Sequence, residues 1–162
     1  MSVTIVRGNL LDTDAQYICH QVNCQGAMGA GVARQIADKW PYVKKEYTNL
    51  CRRTTDKHSL LGTFQMVEAN GGNSKSTDPF VINIFGQEYY GRGGVYTDTS
   101  ALIRAFRDLN DTLRAPYKNH PRPVLAFPHG FGCGLAGGDW SEVEELIVKY
   151  LPDCDVKIYL KG

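Results

Sequence analysis

The feature that most constrains the fold of this chain is the alternation of strand-like and helix-like segments along it. Six segments are rich in β-branched and aromatic residues, as strands are, and four repeat apolar residues at helical spacing. In chain order they read strand, strand, helix, helix, strand, strand, helix, strand, helix, strand. This order predicts an α/β fold in which helices cover both faces of a mixed sheet. The predicted strands are residues 3–6, 17–22, 63–67, 80–85, 124–127 and 156–160.

The predicted helices are bounded by residues that favour helix starts and stops. The first begins at Gly31 and ends at Pro41, whose ring cannot continue a helix, and a second short helix follows. A third covers residues 102–113, where leucine, alanine and phenylalanine form one apolar stripe. For the last helix, the pattern Ser141-x-x-Glu144 predicts a capping box that starts at Ser141.

Length and charge limit the size of the protein and the partners it could bind. With 162 residues and 43% hydrophobic content, the chain is predicted to form one folded domain, 1–162. The formal net charge of +1 lacks the basic surface with which domains bind a nucleic acid through many phosphates. We therefore expect a small polar ligand, and no general nucleic-acid binding.

The sequence contains no signal for secretion or for a metal site. The N-terminal segment has neither a basic start nor a long apolar stretch, and no window approaches the roughly 18 apolar residues of a membrane helix. Five cysteines without a C-x-x-C pair favour reduced thiols over a disulfide framework or a zinc site. We expect a cytoplasmic monomer with no membrane partner, no metal and no cofactor.

Two glycine-rich loops are the strongest functional signal. Residues 23–33 hold three glycines around the start of the first helix, and residues 128–139 hold five before the last helix. Glycines let backbone N–H groups approach a ligand closely, and a helix N-terminus adds partial positive charge. Two such loops converging on one anion would bind a phosphate or diphosphate through backbone donors. Either loop alone is also compatible with a simple tight turn.

Two common nucleotide-binding motifs fit these loops poorly. The segment Gly29-Ala-Gly31-Val-Ala-Arg34 lacks the third glycine of a dinucleotide-binding Rossmann motif. A Walker loop is excluded because the chain has no Gly-Lys-Ser or Gly-Lys-Thr.

Four segments of the chain, taken in order, resemble one known family. They are TIVRGNLL at 4–11, ICHQVNCQG at 18–26, GAGVA at 29–33 and GCGL at 132–135. Together they resemble the macrodomains, in particular the branch that contains ADP-ribose-1″-phosphate phosphatases and the terminal ADP-ribose protein glycohydrolase. The resemblance implies a three-layer α/β/α sandwich with a six-stranded mixed sheet. It also implies that ADP-ribose or a close derivative lies across the two glycine loops.

The same resemblance implies which residues contact the ligand. Asn9 takes the place of an aspartate that commonly binds the adenine amino group, and Asn23 would orient the distal ribose. Tyr159 would stack near adenine, with a position in the core as the alternative. The implied ligand-binding residues are Asn9, Leu10, Asn23, Met28, Gly29, Gly31, Val32, Gly130, Phe131, Gly132, Cys133, Gly134, Leu135 and Tyr159.

The resemblance also limits the hydrolytic mechanisms that the chain could use. Gln87 stands where the glycohydrolase branch has its catalytic lysine, Ala136 where it has its aspartate, and Ala33 where the deacetylase-type branch has an acidic residue. Glutamine cannot form a Schiff base, so lysine-dependent removal of ADP-ribose from protein is disfavoured. His20 matches a histidine of the phosphatase branch, and Asp139 could orient it, so both are predicted catalytic residues.

Each predicted catalytic residue has a structural alternative. His20 could be a buried strand residue, and Asp139 could cap the last helix. The predicted function is hydrolysis of ADP-ribose-1″-phosphate to ADP-ribose and phosphate. The alternatives are a non-catalytic ADP-ribose reader and an ADP-ribosyl hydrolase that acts on modified protein or nucleic acid without a lysine. ADP-ribosylated macromolecules would be the substrates of such a hydrolase, and a reader would recognise modified proteins or the free metabolite.

Overall fold

The computed structural model describes residues 1–73, 77–114 and 121–161. Its strands are β1 (Val3–Arg7), β2 (Tyr17–Asn23), β3 (Phe64–Glu68), β4 (Phe80–Gln87), β5 (Val124–Pro128) and β6 (Asp155–Leu160). Its helices are α1 (Gly31–Lys39), α2 (Pro41–Arg53), α3 (Thr99–Arg114) and α4 (Trp140–Tyr150). The predicted element order is confirmed.

The strands form one mixed sheet in the order β1-β6-β5-β2-β4-β3. Neighbouring strands pair in parallel except at one edge, where β3 runs antiparallel to β4. The carboxyl ends of β5, β2 and β4 therefore lie side by side near the middle of the sheet. In α/β sheets this is the edge at which ligands bind.

Helices cover both faces of the sheet, as its pattern of apolar residues requires. On one face α1 and α2 pack Ile36, Val43 and Tyr47 against the sheet, and on the other α3 and α4 pack apolar residues such as Phe106 and Ile147. The predicted three-layer α/β/α sandwich is thus confirmed. Within the described ranges, none of the helices combines the length and the apolar character needed to span a bilayer.

The start of α4 differs from the predicted capping box. The N-cap is Asp139 and not Ser141, because the Asp139 Oδ1 accepts hydrogen bonds from the Ser141 backbone N (3.0 Å) and from its Oγ (2.9 Å). Aspartate is among the best N-cap residues, since its carboxylate satisfies a first-turn N–H and complements the helix dipole. Asp139 therefore caps the last helix in the structure, which is the alternative to its predicted catalytic role.

Candidate functional site

A cleft of about 940 Å³ opens at the carboxyl ends of the central strands. Its floor is the end of β2, from His20 to Asn23, with Gln87 of β4 and Pro128 of β5 beside it. The two glycine-rich loops form two of its walls, and residues 88–96, which we call the flap, form a third through Tyr90 and Arg92. The cleft has the volume of a site for a small ligand.

Asn23 holds the first glycine loop in shape. Its Oδ1 accepts hydrogen bonds from the backbone N of Gln25 (2.9 Å), the backbone N of Ala27 (3.3 Å) and the Tyr47 hydroxyl (3.0 Å). Its Nδ2 donates to the Ala27 carbonyl at 2.9 Å. These contacts explain why an asparagine ends β2: its amide replaces several backbone partners that the turn would otherwise leave unpaired.

The first glycine loop leads into a helix start that is suited to an anion. Ala30 is the N-cap of α1, and among the described residues no side chain caps this end. The first-turn N–H groups of an uncapped helix need partners and carry the positive end of the helix dipole. Because Gly31 and Val32 line the cleft, these donors border it.

The second glycine loop is tied to the sheet by a network that starts at Gln21. The Gln21 Nε2 donates to the Gln87 Oε1 (2.8 Å) and to the Thr97 Oγ1 (2.9 Å). Thr97 in turn donates from its Oγ1 to the Gly132 carbonyl at 2.6 Å. Gln87 donates from its Nε2 to the Tyr89 carbonyl at 2.8 Å, so the network holds the flap at Tyr89 and, one residue past its end, at Thr97. Gln87 thus acts in this structure as a hydrogen-bonding residue at the end of β4.

The flap packs directly on the second glycine loop. The backbone N atoms of Tyr96 and Thr97 donate to the Ala136 carbonyl at 2.7 and 3.2 Å. Within the described part of the chain, Arg92 is the only lysine or arginine that lines the cleft. The flap therefore brings one cation to a cleft whose walls are otherwise largely backbone and apolar side chains.

His20 lies at the floor of the cleft and is 1% exposed. Its Nε2 lies 2.5 Å from the Asn83 Oδ1, and among the described residues its buried Nδ1 has no hydrogen-bond partner. Burial lowers the pKa of His20 from its usual 6.5 to about 4, and the hydrogen bond with Asn83 only partly opposes this. The ring is therefore neutral at physiological pH, and one of its two nitrogens is an unprotonated acceptor.

The structure does not bring Asp139 together with His20. Asp139 is exposed and is not among the described residues that line the cleft. Hydrogen bonds from the Ser141 side chain and from the backbone N–H groups of α4 lower the pKa of its carboxyl group. The geometry thus gives Asp139 a role at the start of α4 and leaves His20 without a carboxylate neighbour in the cleft.

The predicted ligand-binding residues divide into two groups. Those that line the cleft are Asn23, Gly29, Gly31, Val32, Gly130, Phe131, Gly132, Gly134 and Leu135. The others do not line it in the structure: Asn9, Leu10, Met28, Cys133 and Tyr159.

Local contacts account for the second group. The Asn9 Oδ1 accepts from the Leu11 backbone N (2.9 Å), and the Tyr159 hydroxyl donates to the Thr13 Oγ1 (2.7 Å). Leu10 and Met28 are buried in the core beneath α1 and α2. Cys133 directs its Sγ to the Phe131 carbonyl at 3.2 Å.

Several cleft residues were not in the predicted set. Gln21, Gln87, Arg92 and His129 all line the cleft. The sequence could have indicated Gln21 and Gln87 as cleft residues, because both are polar residues at the carboxyl ends of otherwise apolar strands. His129 also packs on Trp140, with ring centroids 4.7 Å apart, which no sequence spacing indicates.

The described side chains do not meet the requirements of a metal site. Across residues 1–73, 77–114 and 121–161, no group of three or more His, Cys, Asp or Glu side chains is close enough to hold a metal ion.

The sandwich, with a cleft between two glycine loops at the carboxyl ends of parallel strands, defines an α/β class of ligand-binding domain. A family model described as Macro domain matches residues 19–147, and the chain therefore belongs to the macro domain family.

Named relatives fall into two groups. A DNA ADP-ribosyl glycohydrolase of Mycobacterium tuberculosis is 29% identical over 97% of this chain, which spans 42% of that relative's length. An ADP-ribose 1″-phosphate phosphatase of Candida glabrata is 25% identical over 98% of both chains. Among solved structures, the macrodomain of Mycobacterium tuberculosis DarG matches with a TM-score of 0.75 and 26% identity, over 99% of this chain and 98% of that one.

Proposed function

We propose that this protein binds ADP-ribose derivatives in the cleft and hydrolyses ADP-ribose-1″-phosphate to ADP-ribose and phosphate. The observation that carries the proposal is His20, a buried neutral imidazole at the cleft floor whose Nδ1 has no hydrogen-bond partner among the described residues. The phosphatase relatives align over nearly their whole length, which supports the same reaction.

Binding would use the two loops and the flap. Backbone N–H groups of the first glycine loop and of the α1 start would hold the diphosphate from one side, and the second glycine loop would close from the other. Arg92 would offset the charge of the terminal phosphate, for which a guanidinium is well shaped.

The reaction needs a water molecule in line with the bond between phosphorus and the 1″ oxygen. That water would donate one hydrogen bond to the His20 Nδ1 while its oxygen bonds to phosphorus and the bond from phosphorus to the 1″ oxygen breaks. One proton of the water ends on the departing 1″ oxygen and the other stays on the released phosphate. Phosphoryl transfer passes through a loose transition state, so positioning the water matters more than early removal of its proton. A pKa of about 4 makes His20 a weak base, which fits such a positioning role.

An ADP-ribosyl hydrolase is the second candidate, and the mycobacterial relative at 29% identity favours it. Against it stands Gln87, whose amide bonds to Gln21 and to the Tyr89 carbonyl. An amide at this position supplies no amine nucleophile. An activity of this kind would have to use cleft residues other than Gln87.

The test is phosphate release from ADP-ribose-1″-phosphate by the wild-type protein and by His20→Ala. We expect kcat to fall by about 10²-fold with little change in KM, because the lost contact forms with the attacking water and not with the bound substrate. His58→Ala, which removes an exposed histidine outside the cleft, is the matched control. Absence of release by the wild type would refute the phosphatase, and ADP-ribosylated DNA and protein assayed in parallel would then test the second candidate.

A further inference from the structure

A row of three polar side chains runs across the sheet beneath α2. The strand register pairs His20 of β2 with Asn83 of β4, and Asn83 with Gln65 of β3. All three side chains are on the face that α1 and α2 cover, because each lies two positions along its strand from a residue of that core, as His20 does from Val22 and Asn83 from Phe85. His20 and Asn83 are 1% and 0% exposed.

The hydrogen bonds along this row have one direction. The Gln65 Nε2 donates to the Glu46 carbonyl of α2 at 3.2 Å, which turns the Gln65 Oε1 towards Asn83. The Asn83 Nδ2 donates to that oxygen at 3.0 Å, which turns the Asn83 Oδ1 towards His20 at 2.5 Å. A carbonyl oxygen only accepts, so the Nε2 of His20 must carry the proton.

From this geometry we infer that Asn83 and Gln65 are positioning residues, which hold the proton of His20 on Nε2 and so keep Nδ1 an unprotonated acceptor. The assignment extends from a backbone carbonyl of α2 through two amides to the imidazole. The effect of Asn83 and Gln65 on catalysis rests on the proposed function, whereas the position of the proton on His20 does not.

The unpartnered Nδ1 gives the row a purpose beyond packing. A buried acceptor without a donor is destabilising, so it calls for a partner that the described residues do not supply. With the opposite tautomer, an unprotonated Nε2 would face the Asn83 oxygen, and two acceptors would then oppose each other. The row therefore selects the tautomer whose Nδ1 can accept a hydrogen bond, which in the proposed function comes from the attacking water.

The test is the protonation state of each His20 nitrogen, read at neutral pH by long-range ¹H–¹⁵N correlation of the imidazole in the full chain. The expected wild-type result is a proton on Nε2 and an unprotonated Nδ1. A proton on Nδ1 would overturn the inference. This readout needs no turnover, so a protein that releases no phosphate would refute the proposed function and leave the tautomer result to decide the inference.

Gln65→Leu is the decisive variant, because Gln65 does not touch His20. Without the Gln65 oxygen the Asn83 amide can turn and donate to Nε2, so we expect part or all of the His20 population to move its proton to Nδ1. In the same variant, kcat should fall by about tenfold or more with KM little changed. An unchanged tautomer in a folded Gln65→Leu protein would refute the positioning role.

Asn83→Asp supplies an independent measurement. A carboxylate beside Nε2 favours the imidazolium, so the midpoint of the His20 titration should rise by a pH unit or more. A folded Asn83→Asp protein with an unchanged His20 titration would contradict the contact on which the row depends. Asn110→Asp, at another buried asparagine that bonds instead to Asp153, is the matched control and should leave the titration unchanged.

Discussion

Gly137→Ala should destabilise the protein strongly, because the second glycine loop and the flap meet at this residue. Gly137 has a φ of +74°, and an added Cβ would lie 2.4 Å from the Gly94 carbonyl oxygen of the flap. The left-handed conformation costs an L-residue about 1–2 kcal/mol. Forcing two backbones apart adds about 1–3 kcal/mol. We expect the free energy of unfolding to fall by about 2–5 kcal/mol.

Two glycines of the same loop separate these contributions. Gly130 has a φ of +80° and no described atom within 4 Å of an added Cβ, so Gly130→Ala should cost only about 1–2 kcal/mol. Gly134 has neither a positive φ nor such a contact, and Gly134→Ala should stay within about 0.5 kcal/mol of wild type.

Urea unfolding of the three variants, followed by tryptophan fluorescence and far-UV circular dichroism, measures the difference. Coincident transitions by the two probes would justify a two-state free energy. A Gly137→Ala protein as stable as Gly134→Ala would show that the close contact between flap and loop does not exist in solution.

Three further predictions concern single side chains. Arg92→Ala should weaken binding of ADP-ribose-1″-phosphate by roughly tenfold and of ADP-ribose much less, as read by calorimetry, and equal losses would exclude a contact with the terminal phosphate. Asp139→Ala should lower the urea midpoint while kcat stays at the wild-type value, because the carboxylate caps α4; a large loss of kcat at unchanged stability would restore it as a catalytic residue. Burial lowers the pKa of His20 from 6.5 in the unfolded chain to about 4 in the folded protein. The free energy of unfolding therefore receives its full contribution from the neutral His20 above pH 6.5, and this contribution is lost as the pH falls from 6.5 to 4. This loss amounts to roughly 3 kcal/mol, and His20→Asn should flatten that part of the stability curve measured by urea titrations.

The layer arrangement was predictable because each segment carries its own signal. Residues 80–85 read as a buried strand from their apolar and β-branched content, and Pro41 marks the boundary between two helices whatever surrounds it. The start of α4 was less predictable, since Asp139 and Ser141 are both good N-cap residues and spacing does not show which backbone leaves the helix first.

The glycine loops were predictable as cleft walls, but the side-chain network behind them was not. The hydrogen bond between His20 and Asn83 joins residues 63 positions apart, and the one between Asn83 and Gln65 depends on the register of a different strand pair. A shift of one residue in either pairing would move the partner to the opposite face of the sheet. Such a row can be found only once the strands are paired.

The predicted contacts of Asn9 and Tyr159 illustrate a further limit. Both were implied by the family resemblance, and in the structure the Asn9 Oδ1 accepts from the Leu11 backbone N while the Tyr159 hydroxyl donates to the Thr13 Oγ1. A polar side chain can bond to a nearby protein group as readily as to a ligand, and sequence position alone does not distinguish the two outcomes.

Calorimetric titration of the wild type and of Gly29→Leu with ADP-ribose tests whether this ligand binds in the cleft. Gly29 lines the cleft, and an added Cβ would meet no described atom within 4 Å, so the variant should fold normally while its side chain occupies space needed by the ligand. We expect the wild type to bind one ADP-ribose saturably and Gly29→Leu to bind it with an affinity at least about tenfold weaker. Equal binding by the two proteins, or no binding by the wild type, would contradict it.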